Sequence, residues 1–363
     1  MTGIVIQGIL AGTVLFAVIN FAALHTWIER KQSAVMQDRI GANRATIFGI
    51  RALGLFHPLA DAIKMFTKED YIPPYGDKFL HTLAPFLSMT FALVAFAAVP
   101  FGDILQIGEW EIPLQAASLN VGLIYIFAMM SMGVYGVILA GFSSNSNYAF
   151  LGSLRASSQM LAYEITLGAT LLGIVMIYGS LDLQEIVRGE GDLLWGFVPK
   201  WGVLVQPLGM ILFLMAGIAE TKRIPYDIPE GESEIVGYFV EYSGMKFGMF
   251  YFTDFLETIL IASLVTTLFF GGWQVPYLYR GGFYFPWVEG GHFAAWVMPH
   301  LLVTLIQIGA FALKVIFFCW LFMTIRWTLP RFRYDQLMHL GWKIVFPLSV
   351  VNLFVTAFFV LIL

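Results

Sequence analysis

Eight apolar runs, each long enough to cross a bilayer, constrain this chain more than any other feature. They cover residues 3–28, 79–101, 119–141, 159–178, 201–219, 247–271, 295–325 and 344–363, and are separated by polar or Gly/Pro-rich breaks. About 20 apolar residues carry a helix across the ~30 Å hydrocarbon core, where every backbone polar group must be satisfied internally. The expectation is an all-α polytopic membrane protein of about eight transmembrane helices, one membrane domain over residues 1–363. Composition agrees: 59% of the 363 residues are hydrophobic and 12% charged, which excludes an ordinary soluble domain. A net charge of −4 leaves no basic excess for nucleic acid. The one cysteine, Cys319, leaves no disulfide framework and no CxxC metal or cluster site. No internal repeat or low-complexity tract is evident.

Lys/Arg bias sets the expected orientation. Loops after the first, third, fifth and seventh runs, residues 29–78, 142–158, 220–246 and 326–343, hold sixteen of the twenty basic residues. The opposite loops hold Arg188, Lys200 and Arg280. Both termini are therefore expected on the outer side, and the first run, with neither a basic flank nor a cleavage site, is read as a permanent helix. The first inner loop carries an amphipathic pattern: Phe48, Ala52, Leu55, Leu59, Ile63 and Phe66 recur at helical spacing, with His57, Asp61, Lys64 and Lys68 on another face. This predicts a helix lying in the interface plane, with Pro58 at its start or at a kink.

The charges left over point to chemistry. Residues 220–234 place five acids and two bases together, followed by Glu241 and Tyr242. If the stretch after Pro229 is helical, Glu230, Glu234 and Glu241 share a face, and acids so crowded exchange protons near neutral pH. The alternative is a solvated acidic loop. Glu164, Asp254, Glu257 and Lys314 lie inside apolar runs, where a central Asp or Lys costs roughly 2.5–3.5 kcal/mol, so pairing or a wet cavity is implied. With Glu220 they form a candidate polar path from the inner loops, the alternative being a structural salt bridge through Lys314. His25 and His81 are candidates for a haem pair, weighed against their being ordinary interfacial histidines. Arg331 and Arg333, among aromatics, offer bidentate donors to carboxylates or headgroups.

Several segments together resemble one family. They are Glu29-Arg30-Lys31, Arg39 through Arg44, His57-Pro58-Leu59-Ala60-Asp61-Ala62-Ile63-Lys64, Leu154-Arg155-Ala156 with Tyr163-Glu164, Ala219 through Arg223 and on to Gly244, and Pro330 through His339. The family is the H subunit, or subunit 1, of the proton-pumping NADH:quinone oxidoreductase, respiratory complex I. The resemblance implies a subunit that joins the membrane arm to the peripheral redox arm and forms much of a quinone-binding chamber. It implies that Glu29, Arg30, Arg39, Asp61, Lys64, Arg223, Arg331 and Arg333 border the chamber or its mouth. Glu164, Glu220, Asp227, Glu230, Glu232, Glu234 and Asp254, or its neighbour Glu257, would form the charged path towards antiporter-like subunits. Quinone, ubiquinone or menaquinone, is then the substrate, while FMN and iron–sulfur clusters reside on partner subunits, in a bacterial plasma membrane or an organellar inner membrane. Neighbouring small membrane subunits, antiporter-like subunits, the iron–sulfur subunits and lipid are the implied partners, with no metal on this chain. Three positions depart from the family pattern: Ala42 replaces a usual Pro, Lys222 a usual Asn, which adds a positive charge beside Glu220, and Asp254 a usual Glu. The rival readings are the matching subunit of a membrane-bound hydrogenase or ferredoxin-driven complex, and a proton-coupled secondary transporter.

Overall fold

The computed structural model describes residues 2–107, 110–229, 231, 235, 237–284 and 296–362. Its helices, in chain order, are α1 Thr2–Met36, α2 His57–Thr67, α3 Lys78–Ala95, α4 Gly122–Ser143, α5 Asn147–Tyr178, α6 Leu183–Glu190, α7 Gly202–Val205, α8 Pro207–Glu220, α9 Gly244–Phe269, α10 His300–Thr328, α11 Tyr334–Leu340 and α12 Phe346–Ile362. The chain is an all-α membrane protein: among the described residues, seven helical stretches are long and apolar enough to span. A short hairpin, Ile104–Ile107 with Trp110–Pro113, and smaller strand pairs sit at the end of the bundle opposite the loops 37–77 and 221–243.

The fifth apolar run differs from the others. It is split into α7 and α8 at Gln206, because Pro207 has no N–H to continue the helical ladder. At 1.5 Å per residue, α8 alone reaches ~21 Å and needs α7 to approach the hydrocarbon thickness. Gln206 at the break donates to Thr356 Oγ1 at 2.6 Å. Gly173 and Gly209 flank it, and a Cβ on either would stand 2.2 or 2.5 Å from the Gln206 amide. Two helices also outrun their apolar cores. α5 begins at Asn147 rather than Gln159, so Arg155 is helical and not part of a loop, and α12 is led in by α11 and a π-helical turn, Gly341–Val345. Hydropathy marks where a helix meets lipid, not where its backbone ladder ends.

α9 is the axis of the bundle. Every residue from Phe255 to Phe269 is buried, and α1, α3, α8 and α10 pack around it. Without a hydrophobic drive between helices in lipid, close approach depends on small residues. A Cβ at Gly217 would meet Ile261 Cγ2 at 2.6 Å, and one at Gly136 would meet Ala84 O at 2.8 Å, so the first glycine makes room for a side chain of α9 and the second lets α4 approach the α3 backbone. α1 and α12, at the rim, keep large apolar side chains such as Ile9, Phe16, Phe354 and Phe358 outward.

The amphipathic segment is helical over a shorter length than its periodicity predicts. α2 starts at His57 with Pro58 in its first turn. Residues 47–50 instead form a tight β-bridge turn, Ile47 to Ile50, and Ala52–Gly54 a single 3₁₀ turn with Leu53 at φ 55°. Leu59, Ile63 and Phe66 stay exposed on one side of α2, as for a helix lying on lipid or against a partner. Of the acidic segment, Glu230, Glu232 and Glu234 lie outside the described residues. Among the described residues, Glu241 lies in a 3₁₀ turn, Tyr238–Glu241, and not on an α-helix.

Candidate functional site

The site is built where four helix ends meet. α1 continues past the apolar run to Met36, which brings Glu29 inside the bundle. α8 ends at Glu220, and two residues of the turn that follows, Lys222 and Arg223, reach to different helices. Lys222 adopts φ 55°, a left-handed turn that reverses the chain direction. Arg223 Nη1 donates to Glu29 Oε2 at 3.1 Å, and its guanidinium lies 4.0 Å over the Phe255 ring on α9. Arg326, at the end of α10, donates to the other Glu29 oxygen. One carboxylate thus ties α1, α10 and the α8–α9 loop together, and all three side chains are largely removed from solvent.

Lys222 reaches the opposite way. Its Nζ lies 3.3 Å from Asp254 Oδ1 and 3.3 Å from Glu257 Oε2, so one ammonium bridges two acids one turn apart on α9. Burial disfavours the charged lysine, but Glu257, Tyr238 and Asp254 outweigh it and hold the ammonium well above the usual lysine range. Lys222 does not bond Glu220, the acid two residues before it. Glu220 is buried, and its Oε2 meets no hydrogen-bond partner among the described residues. Glu164 and Glu257 are the acids acting on it most strongly, and Lys222 opposes them. A cavity of about 10 Å³ separates Glu220 from Glu257, with Ser88, Met129 and Met130 in its wall. That is the lower limit of space for one water. Glu164, half-buried on α5, accepts from Ser131 of α4.

A larger cavity, about 220 Å³, opens beside α2. It is lined by Arg30, Asp61, Lys64, Met65, Phe247 and Tyr251, among others. Arg30 and Asp61 form an ion pair of 2.5 Å at its wall, both partly exposed. On the loop after α8, the buried Asp227 accepts from Arg331 Nη2 at 2.7 Å. The residues singled out from sequence therefore fall into three groups. Glu29 and Arg223 share one cluster, Lys222 joins Asp254 and Glu257 in the next, and Arg30, Asp61 and Lys64 line one cavity. Arg39 is exposed and bonds Gln37, two residues away. Arg333 is exposed too and pairs with Asp335 of its own helical turn.

Lys314 belongs elsewhere. Its Nζ donates to the carbonyls of Phe270, Gly272 and Gln274 at 2.7, 2.9 and 2.7 Å and lies 4.8 Å from the Trp201 ring centroid. Phe270 follows Glu257 by thirteen residues, ~20 Å along the axis of α9. Lys314 is therefore the cationic cap of the α9 C-terminus and no part of the acid group at the other end. His25 and His81 serve no common centre: the first packs between Phe21 and Phe255, the second stacks on Tyr242 at 3.9 Å. No set of three or more His, Cys, Asp or Glu placed to hold a metal occurs among the described residues.

Sequence reasoning missed two members. Arg326 is a base at a span end and reads as positive-inside charge, so its place on Glu29 had no local signal. Gln159 donates to Ala219 O at 2.7 Å and Tyr226 O at 2.8 Å, which fixes both ends of the loop that carries Lys222 and Arg223. A glutamine one turn before Tyr163-Glu164 is a polar group out of place in an apolar helix, and that was its signal.

Fold and site together define a polytopic helical membrane protein whose buried charges form adjoining, paired clusters within the bundle. A family model described as NADH dehydrogenase matches residues 9–357. The chain is similar to the NADH-quinone oxidoreductase H subunit 1 of Cytophaga hutchinsonii, 40% identical over 95% of this chain and 94% of the relative. It is 42% identical to the H subunit 1 of Geobacter metallireducens, over 94% and 93%, and 38% identical to the H subunit of Flavobacterium johnsoniae, over 94% and 92%. The chain belongs to this family, the H subunits of NADH-quinone oxidoreductase.

Proposed function

We propose that this subunit walls a quinone chamber at the junction with the peripheral redox arm and passes the charge change of quinone reduction into its buried acids. The carrying observation is contiguity. Arg223, on Glu29, and Lys222, on Asp254 and Glu257, are consecutive residues, so a shift of either cation moves the other. The cavity between α2 and α9 is the mouth, with Arg30, Asp61 and Lys64 at its polar wall and Phe247 and Tyr251 at its apolar one. Such a wall suits a substrate with a polar ring and a lipid tail.

Negative charge arriving near Glu29, in a poorly hydrated interior, acts on neighbouring ionisable groups far more strongly than in water. Asp227, through Arg331, and Glu164 and Glu220, through a water between Glu220 and Glu257, extend the path. Glu230, Glu232 and Glu234 belong to the same acidic loop in this reading. In this reading the chain sits in a bacterial plasma membrane, or an organellar inner membrane, with both termini on the outer side. Iron–sulfur and quinone-site subunits dock on the basic loops, antiporter-like subunits continue the membrane arm, and FMN and the clusters lie on those partners.

The chamber is tested by filling it. Met65→Trp in the assembled complex should raise the quinone KM by about fivefold or more, as expected for loss of substrate room, while NADH oxidation by ferricyanide keeps its rate. An unchanged KM would place the quinone elsewhere.

A further inference from the structure

A second cavity, about 270 Å³, lies between α1 and α10, away from α2. Its walls include Phe21, Leu313, Phe317, Cys319 and Trp320, with His25 at its depth. Leu313, Phe317 and Trp320 are about half exposed or more at the helix surface, so the cavity opens towards lipid. His25 is fully buried, and neither ring nitrogen has a hydrogen-bond partner among the described residues. A neutral imidazole carries one donor and one acceptor, and leaving both unmet in a hydrocarbon interior costs free energy at each. Water alone is a poor remedy, since a buried water needs two to four polar partners and the walls here are aromatic or aliphatic.

We propose that this cavity is a binding site for a lipid-soluble monocyclic phenol, with the ring among Phe21, Phe317 and Trp320 and the hydroxyl on His25. A hydroxyl both donates and accepts, so it meets either tautomer of the ring nitrogen that faces it. A bare hydrocarbon would fill the space and leave both nitrogens unmet, and a carboxylate would carry an unpaired charge into it. Size fits as well: a cavity of ~150 Å³ takes benzene, and the additional volume suits a short alkyl substituent. His25 precedes Glu29 by one helical turn on α1, so an occupant sits ~6 Å along the axis from the carboxylate that holds Arg223 and Arg326. Occupancy would therefore act on the charge cluster without entering the α2 cavity. The site does not depend on the function proposed above.

The test uses the intact complex in bilayers, an azido-substituted 4-butylphenol as photoprobe and 4-butylphenol as competitor. Labelling should map to residues 313–323 and be displaced by the competitor. His25→Phe, which keeps a ring and loses both nitrogens, should weaken competition by about tenfold, the scale of one buried hydrogen bond. Leu313→Trp, a change at the lipid face that fills the cavity, should abolish the labelling and covers the case in which His25→Phe fails to assemble. Label that the competitor does not displace, or displaceable label on the α2 cavity instead, overturns the proposal in the wild-type complex alone.

Discussion

Lys222 Nζ and Glu257 face each other at 3.3 and 3.4 Å, an ammonium set against both oxygens of one carboxylate with scarcely any solvent on either side. The same nitrogen holds Asp254 at 3.3 Å. At both these α9 positions a carboxylate is served by one cation, so the three side chains form a single charge cluster.

Removing that cation leaves two acids crowded with no partner. Breaking a buried pair from one side costs about 3–5 kcal/mol, whereas removing both partners is far milder. Lys222→Met should therefore reduce assembled complex sharply on native gels, and Lys222→Met with Glu257→Gln should recover most of it. Equal losses in the single and double variants would show that the pair is not energetically coupled.

Glu29 joins three elements through two arginines. Glu29→Gln should lower the thermal midpoint for release of this subunit, by a change of about 2 kcal/mol. Arg326→Met should add little once Glu29 is gone, which a double-mutant cycle reads directly. Additive effects would mean that Arg326 is held by something other than Glu29.

Lys314 caps the C-terminus of α9 through three carbonyls. Lys314→Met removes those bonds inside the bundle and should cost about 2–3 kcal/mol, seen as earlier thermal release, while quinone turnover per assembled complex stays near wild type. A selective loss of turnover at full assembly would return Lys314 to the coupling machinery.

Asp103 lies at the opposite end, where Arg188 donates at 2.9 Å and Arg280 at 3.0 Å. Burial pushes its carboxyl up, but the bonds and charges of the two arginines prevail and hold it below the usual aspartate value. A carboxylate lowered in this way contributes stability that is complete above the ordinary value near ~4 and is lost as pH falls through the lowered one. Asp103→Asn should therefore destabilise at neutral pH, and the difference from wild type should shrink only in strongly acid buffer. A difference that vanishes between about pH 6 and ~5 would contradict the pairing.

The spans were legible because lipid imposes one rule on every residue of a run. Its exceptions are equally physical. Pro207 breaks the fifth run, and α5 and α1 continue beyond the apolar stretch because backbone bonding does not stop at the membrane surface. The acids of the site could be named from their cost in an apolar run, since Glu164, Asp254 and Glu257 had to find partners. Which partner each found was not legible. Glu29 and Arg223 are 194 residues apart and Glu29 and Arg326 are 297 apart, so their meeting depends on helix packing. Lys314 shows the same limit: its charge was noticed, but carbonyls at the far end of α9 neutralise its cost, and no periodicity announces a helix cap drawn from another helix.

The central claim is that buried acids beside Lys222 carry the coupling between quinone reduction and proton movement. Glu220→Gln keeps size and hydrogen-bonding capacity and removes the proton-binding carboxylate. The most direct measurement is NADH-driven proton uptake in sealed membrane vesicles, normalised to NADH oxidation by ferricyanide in the same preparation. A fall of about tenfold or more in uptake and quinone reductase rate, with the ferricyanide rate intact, is the predicted result. Unaltered uptake at full assembly would contradict it.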